Sequence, residues 1–134
     1  MDRYKRVFLI DDDQTLNDIH SKILRGAGYN GRISLFKNGQ DALDEVHETI
    51  VQNDEFPDLI FLDINMPGVD GWGFLKHFEE LTLRLQVSPH VYILSSHVTP
   101  AETEKIRTRS YKSVKKVVAK PLTIRQLQML ISSE

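Results

Sequence analysis

Along the chain, short apolar runs alternate with longer stretches in which apolar residues recur at helical spacing. The runs are RVFLI (6–10), RISLF (32–36), DLIFL (58–62), HVYIL (90–94) and VKKVVA (114–119). Three of the five are nearly continuous rather than alternating, which is the pattern of strands buried on both faces. After the first run, Leu16, Ile19, Ile23 and Leu24 fall at i, i+3, i+7 and i+8, and Gly26 and Gly28 mark an end. Ala42, Leu43, Val46 and Ile50 form a second helical stripe, and Phe74, Leu75, Phe78 and Leu81 a third. Ile124, Leu127, Leu130 and Ile131 form a fifth. The fourth, over residues 100–112, is sparse, with Ala101, Ile106 and Tyr111 as its only apolar anchors. KNGQ at 37–40 has the composition of a hairpin turn, but the helical spacing that follows favours a helix start there.

Strand and helix thus alternate five times, which predicts an α/β fold: a doubly wound, five-stranded parallel sheet with helices on both faces. No linker-like stretch, repeat or low-complexity tract interrupts the 134 residues. The expectation is one domain over residues 1–134 with no output domain. Composition changes this picture little. Seventeen basic residues stand against nineteen acidic ones for a net charge of −2, which gives no reason to expect nucleic acid or an anionic membrane as partner. A chain without cysteine has neither a disulfide framework nor a thiolate metal site. Only residues 7–10 follow the basic N-terminus as an apolar run, short of the roughly 7–15 residues of a signal peptide. No run approaches the ~18 apolar residues of a membrane span. The expected location is cytoplasmic.

Ligands of open parallel α/β sheets bind just beyond the carboxyl ends of the strands. The first strand ends in Asp11, Asp12 and Asp13, the third in Asp63, the fourth in Ser95 and Ser96, and the fifth in Lys120. The second ends in nothing reactive. Each residue alone has an ordinary structural explanation: a solvated turn, a helix cap, a surface lysine before proline. All four at the ends of the proper strands call for a common one. Clustered carboxylates without Cys or paired His make a hard, all-oxygen site, suited to Mg2+ or Mn2+ rather than zinc. A carboxylate beside such an ion can act as a nucleophile toward phosphorus. Phosphoryl transfer needs positive charge around the phosphoryl oxygens, which a metal and Lys120 would supply. A serine hydroxyl can hydrogen-bond the transferred group.

At these residues the sequence resembles the receiver domains of two-component response regulators, of the single-domain, chemotaxis type. The resemblance runs from Val7 to about Ile131 on the motifs FLIDDD, DLIFLDINMPGVDGW, VYILSSH and VVAKPLT. It implies strand order 2-1-3-4-5. It also implies that Asp63 accepts phosphate from a phosphohistidine on a histidine kinase or histidine phosphotransfer protein. Asp12, Asp63 and the backbone carbonyl of Asn65 would ligate Mg2+, with Asp11 acting through water. Ser95 and Lys120 would contact the phosphoryl group, and the Lys120–Pro121 bond would be cis. Asn65 and His97 match positions that border the path of attacking water. One position departs from the family: three residues before the lysine, an aromatic ring that turns inward on phosphorylation is replaced by Val117. A β-branched side chain has no ring to move. The loop and helix after Ser95, with few apolar anchors, are then expected to carry the signal.

The resemblance implies a signalling phosphoacceptor rather than an enzyme with a separate substrate. Its downstream protein target is unknown from sequence. Neither a helix-turn-helix nor net basic charge supports DNA binding, and a monomer or weak homodimer is expected. Lys105, Arg107, Arg109, Lys112, Lys115 and Lys116 form a basic patch, read as a solvated face or a contact for an acidic partner. His20, His47, His77 and His90 form no metal-spaced pair and are read as surface or structural. Two alternatives remain. One is a phosphate-independent pseudo-receiver. The other is a haloacid dehalogenase-like phosphohydrolase, in which DDDQT would supply Asp11 as nucleophile and Asp13 as general acid/base. The latter lacks an acidic pair after Lys120 and leaves LDINMPGVDGW unexplained. A calcium loop fails because Leu16 stands where it needs glycine.

Overall fold

The computed structural model describes residues 3–66, 71–96, 98–109 and 111–132. Five strands, β1 (Arg6–Ile10), β2 (Arg32–Phe36), β3 (Leu59–Asp63), β4 (His90–Ser95) and β5 (Val114–Ala119), form one sheet in the order β2-β1-β3-β4-β5. Every pairing is parallel. The helices are α1 (Gln14–Gly26), α2 (Gly39–Gln52), α3 (Gly71–Leu85), α4 (Pro100–Arg109) and α5 (Ile124–Ser132). The nearly continuous runs are the three inner strands. Residues of β1 and β3 are buried throughout, whereas the edge strands β2 and β5 are largely half-exposed.

Alternate side chains of each inner strand enter different cores. On one face Val7, Leu9, Leu59, Phe61, Tyr92 and Leu94 pack with Leu24 of α1 and Leu127 and Leu130 of α5. On the other Phe8, Ile10, Ile60, Leu62, Val91 and Ile93 pack with Ala42, Leu43 and Val46 of α2 and Phe74, Leu75 and Phe78 of α3. This is the period-2 consequence of a strand covered on both sides.

Helix starts follow local chemistry. Asp13 caps α1, its side chain accepting from the Leu16 N–H at 3.0 Å. Asn38 caps α2, accepting from Asp41 N–H at 2.7 Å, so KNGQ opens a helix as expected. Neither Ser95 nor Ser96 caps α4, which begins only at Pro100.

Three expectations need correction. The α1 stripe is rotated: Ile19 is 43% exposed, while Asn17 and His20 are buried beside Leu24. Helix α4 ends at Arg109 rather than reaching residue 112. What lies beyond it is held by α3: buried Glu79 accepts from Lys112 N–H and from Ser113 Oγ–H, each at 2.6 Å. The third strand starts one residue later than expected, at Leu59; Asp58 just before it bonds the Arg6 carbonyl and the His90 N–H through its backbone, and its carboxylate accepts from Lys5 and Arg6 N–H at 2.9 and 3.1 Å. Glu79→Ala removes both hydrogen bonds of this clamp and leaves the Ser113 hydroxyl buried, so urea unfolding should show a loss of about 1–3 kcal/mol.

A second buried charge sits at the opposite pole from the strand ends. Arg6 lies under the sheet with Nη2 2.8 Å from Glu45 Oε2 and Nη1 2.9 Å from Thr49 Oγ1. It also donates to the Glu55 carbonyl at 3.1 Å. It is a satisfied structural cation, well away from the acidic cluster.

Candidate phosphoacceptor site

The parallel register brings the strand ends to one rim. Asp63 pairs with Leu94, so Ser95 lies one residue beyond, and Ser95 pairs with Ala119, so Lys120 follows on the next strand. The Lys120 N–H donates to the Ser95 carbonyl at 2.9 Å, carrying the ladder past the end of β5. Lys120–Pro121 is cis, as the resemblance implied. On the other side, Asp11 N–H donates to the Phe36 carbonyl at 3.0 Å and holds the acidic turn at the rim.

The three consecutive aspartates divide their work. Asp11 is 1% exposed, and its Oδ1 accepts from the Asp13 N–H at 2.9 Å. Asp12 is exposed. Asp13 is the cap of α1 and does not belong to the cluster. Carboxylate oxygens of Asp11, Asp12 and Asp63 lie within 4.8 Å of one another. Lys120 Nζ stands 3.2 Å from Asp11 Oδ2 and 3.4 Å from Asp63 Oδ2. Asp63 is 3% exposed, and its Oδ1 accepts from the Asn65 N–H at 3.1 Å. Ser95 is buried at the end of β4.

These charges shift one another. Burial pushes the Asp63 carboxyl up to about 6, helped by the Asp11 charge and opposed by the Asn65 amide and Lys120. Burial also raises Asp11, against the Asp13 amide and Lys120. Burial alone would lower the Lys120 ammonium, but Asp11 and Asp63 together raise it. The result is a half-buried ammonium shared by two reluctant carboxylates, with a third, exposed carboxylate beside them. An all-oxygen acidic set of this kind suits a small hard divalent cation.

Gly71 controls how closely α3 approaches. A Cβ there would lie 2.5 Å from the Asp63 carbonyl oxygen and 2.5 Å from Ile64 Cα, so only glycine lets the helix start against this backbone. Sequence reading did not single out Gly71. It also missed Asn17, and it took His20 only as surface or structural, although Asn17, His20 and Leu24 fall at i, i+3 and i+7, as regular a stripe as the apolar one chosen.

The rest of the expected set is divided. Val117 is half-buried on β5, opposite Ile93. The nearby aromatic pair is instead Trp72 of α3 and Tyr111 before β5, with ring centroids 6.4 Å apart. Lys105 of α4 lies over the Trp72 ring at 4.5 Å. Lys112, Lys115 and Lys116 are exposed, while His97 and the side chains of Arg107 and Arg109 lie outside the described residues. His47 and His77 are exposed, and His90 bonds the Tyr4 hydroxyl at 2.8 Å, in keeping with surface and structural roles.

Residues 7–132 match the response regulator receiver domain. The chain belongs to that family. A two-component response regulator from Cytophaga hutchinsonii is 30% identical, with a TM-score of 0.83 over 96% of this chain and 94% of that one. The receiver domain of the histidine kinase CKI1 from Arabidopsis thaliana, solved in complex with Mg2+, shares the fold at 22% identity with a TM-score of 0.81, covering 96% of this chain and 90% of that one. The transcriptional regulatory protein ZraR of Klebsiella oxytoca is 30% identical over 94% of this chain, which spans 25% of ZraR. The chain covers between 14% and 32% of the relatives DNA-binding transcriptional regulator NtrC of Escherichia coli and the protein-glutamate methylesterase/protein-glutamine glutaminase of Symbiobacterium thermophilum. Receiver domains serve two-component signalling. The family match sets aside the phosphohydrolase alternative, whose general acid/base, Asp13, is a helix cap here. Among the described residues, no helix is long and apolar enough to cross a membrane.

Proposed function

We propose that this receiver domain takes a phosphoryl group on Asp63 from a phosphohistidine of a histidine kinase or histidine phosphotransfer protein, and that the phosphorylated state alters binding to a partner protein. The observation that carries the proposal is Lys120 Nζ within 3.4 Å of both buried carboxylates, beside the exposed Asp12. In the transfer, an Asp63 carboxylate oxygen attacks phosphorus, forming the acyl-phosphate O–P bond. The P–N bond breaks and its electron pair stays on the imidazole. Lys120 keeps its proton, because two carboxylates raise its affinity for it, and stabilises charge on the phosphoryl oxygens. Ser95, buried one residue past the Asp63 partner on β4, would bond the transferred group. Hydrolysis by water regenerates the carboxylate and releases phosphate.

The donor set fits Mg2+: Asp12 and Asp63 would hold it directly, with the Asn65 carbonyl, and Asp11 through water. When bound, the ion supplies positive charge toward the phosphoryl oxygens. The test is incubation with a small phosphodonor such as acetyl phosphate, followed by mass spectrometry of the peptides. The label should map to Asp63 and vanish with a chelator. A label on Asp11 instead would overturn Asp63 as the acceptor, and no label would leave a phosphate-independent module.

We assign the change in shape to α4. Among its described side chains only Ile106 is even half-buried, and Lys105 rests on the Trp72 ring. A helix with so few apolar contacts is displaced at low cost. Hydrogen exchange should therefore quicken or slow over residues 98–109 when an acyl-phosphate mimic binds, and the fluorescence of Trp72, the one tryptophan in the sequence, should change with it. Unchanged protection over that helix would count against the assignment.

A further inference from the structure

Helix α1 turns two polar side chains toward the sheet. Asn17 and His20 are 3% and 1% exposed, one helical turn apart on the stripe that continues to Leu24. Each holds a backbone segment that carries a charged member of the site. Asn17 Nδ2 donates to the Asp11 carbonyl at 3.1 Å and to the Phe36 carbonyl at 3.0 Å. His20 Nε2 accepts from the Leu122 N–H at 3.0 Å, two residues after Lys120. The segment from Lys120 to Leu122 is thus tied at Lys120 to Ser95, at 2.9 Å, and at Leu122 to α1.

Neither residue is what packing alone would select. Asn17 Oδ1 and His20 Nδ1 are enclosed and have no hydrogen-bond partner among the described residues. Because Nε2 accepts, the neutral ring carries its proton on Nδ1, an unused donor. Leucine at either position would bury no such atom. What the two side chains add is orientation of strand ends that lie 109 residues apart in sequence and meet in the Lys120–Asp11 contact.

We propose that Asn17 and His20 are positioning residues for phosphoryl transfer to Asp63, Asn17 by fixing the backbone of Asp11 and His20 by fixing the segment that follows Lys120. The proposal rests on the phosphoacceptor reading of Asp63. Neither side chain touches the reacting atoms. Both act through the placement of the two groups that do, where a displacement of about 1 Å costs on the order of a hundredfold in rate.

The test uses the full chain with acetyl phosphate and Mg2+, comparing wild type with Asn17→Leu, His20→Leu and His20→Gln at a temperature where each is folded by circular dichroism. Glutamine can still offer an oxygen to the Leu122 N–H. Both leucine variants should lower the maximal rate of Asp63 labelling at least about tenfold at saturating donor and metal, while His20→Gln stays within about threefold. Folded leucine variants with wild-type maximal rates would overturn the proposal, since a purely structural role moves melting and not the rate. If the leucine variants do not fold, amide exchange in the wild type decides. Slow exchange of the Leu122 N–H and the Asn17 side-chain amide, with labelling retained in His20→Gln, supports it. Exchange at the rate of exposed amides overturns it. A wild type that takes no label overturns the phosphoacceptor reading, and this one with it.

Discussion

Asp63→Asn is expected to abolish phosphoryl labelling and, in the presence of a chelator, to stabilise the fold at neutral pH by about 1–3 kcal/mol. The first effect is chemical: a carboxamide offers no anionic oxygen to phosphorus. The second follows from the direction of the Asp63 shift. Its carboxyl sits at about 6 in the fold against 3.8 for the ordinary group, mainly through burial and then through the Asp11 charge. A raised acid holds its proton better when folded, so ionisation works against the fold. The penalty is absent below the ordinary value, grows as pH rises from 3.8 toward 6, and is constant above that. An uncharged amide escapes it. Urea titrations of wild type and variant should therefore diverge across that window and coincide below it. Saturating Mg2+ should narrow the gap in wild type, since a bound cation offsets the same repulsion. A variant less stable than wild type at neutral pH, or one that still takes the label, would defeat the assignment of Asp63 as the strained, reactive acid.

The site was legible because it is made of strand ends, and strand ends are visible where apolar runs stop. Asp11, Asp63, Ser95 and Lys120 each follow such a run, and a parallel sheet has to bring them to one rim. The division among Asp11, Asp12 and Asp13 was not legible. Three identical side chains in sequence read as one acidic group, yet the turn after β1 buries one, exposes the second at the cluster and spends the third on the first turn of α1. That division depends on the Asp13 N–H reaching back to Asp11 Oδ1 at 2.9 Å, a backbone detail without a compositional signature.

The face of α1 was hidden for a different reason. Hydrophobicity weights Ile19 over His20, but a helix turns on whichever stripe finds partners. The carbonyls of Asp11 and Phe36 and the amide of Leu122 sit where the polar stripe can meet them. Those backbone groups need partners as much as the core needs apolar atoms. The same logic explains Arg6, which looks like a charged start to an apolar run and is instead a buried clamp on Glu45 and Thr49. Polar groups without a local cue were placed by contacts far along the chain, which periodicity cannot see. The substitution at Val117 was visible in sequence, but the Trp72–Tyr111–Lys105 arrangement beside α4 was not, because its members come from three separate segments.

His20 carries the remaining large effect, through acid. Burial, reinforced by the Lys120 charge and opposed by Asp13, lowers its imidazole from 6.5 to about 4. The unfolded chain therefore binds a proton that the folded chain refuses. For a depressed histidine the stability is fully present above 6.5 and is lost as pH falls from there toward 4. The shift sets the loss at about 2–3 kcal/mol by the lower end of that window. The structural reason is specific. Protonating Nε2 would set one donor against another, the Leu122 N–H at 3.0 Å, and put a cation near Lys120. Carboxylates titrate over part of the same range, so wild type alone cannot isolate the effect. His20→Gln keeps an acceptor and has no proton to gain. The difference in unfolding free energy between the two proteins should then be flat above 6.5 and swing toward the variant by about 2–3 kcal/mol as pH approaches 4. Parallel stability curves across the window would mean that the ring is charged or solvated in the fold, and that the Leu122 contact does not hold the segment after Lys120.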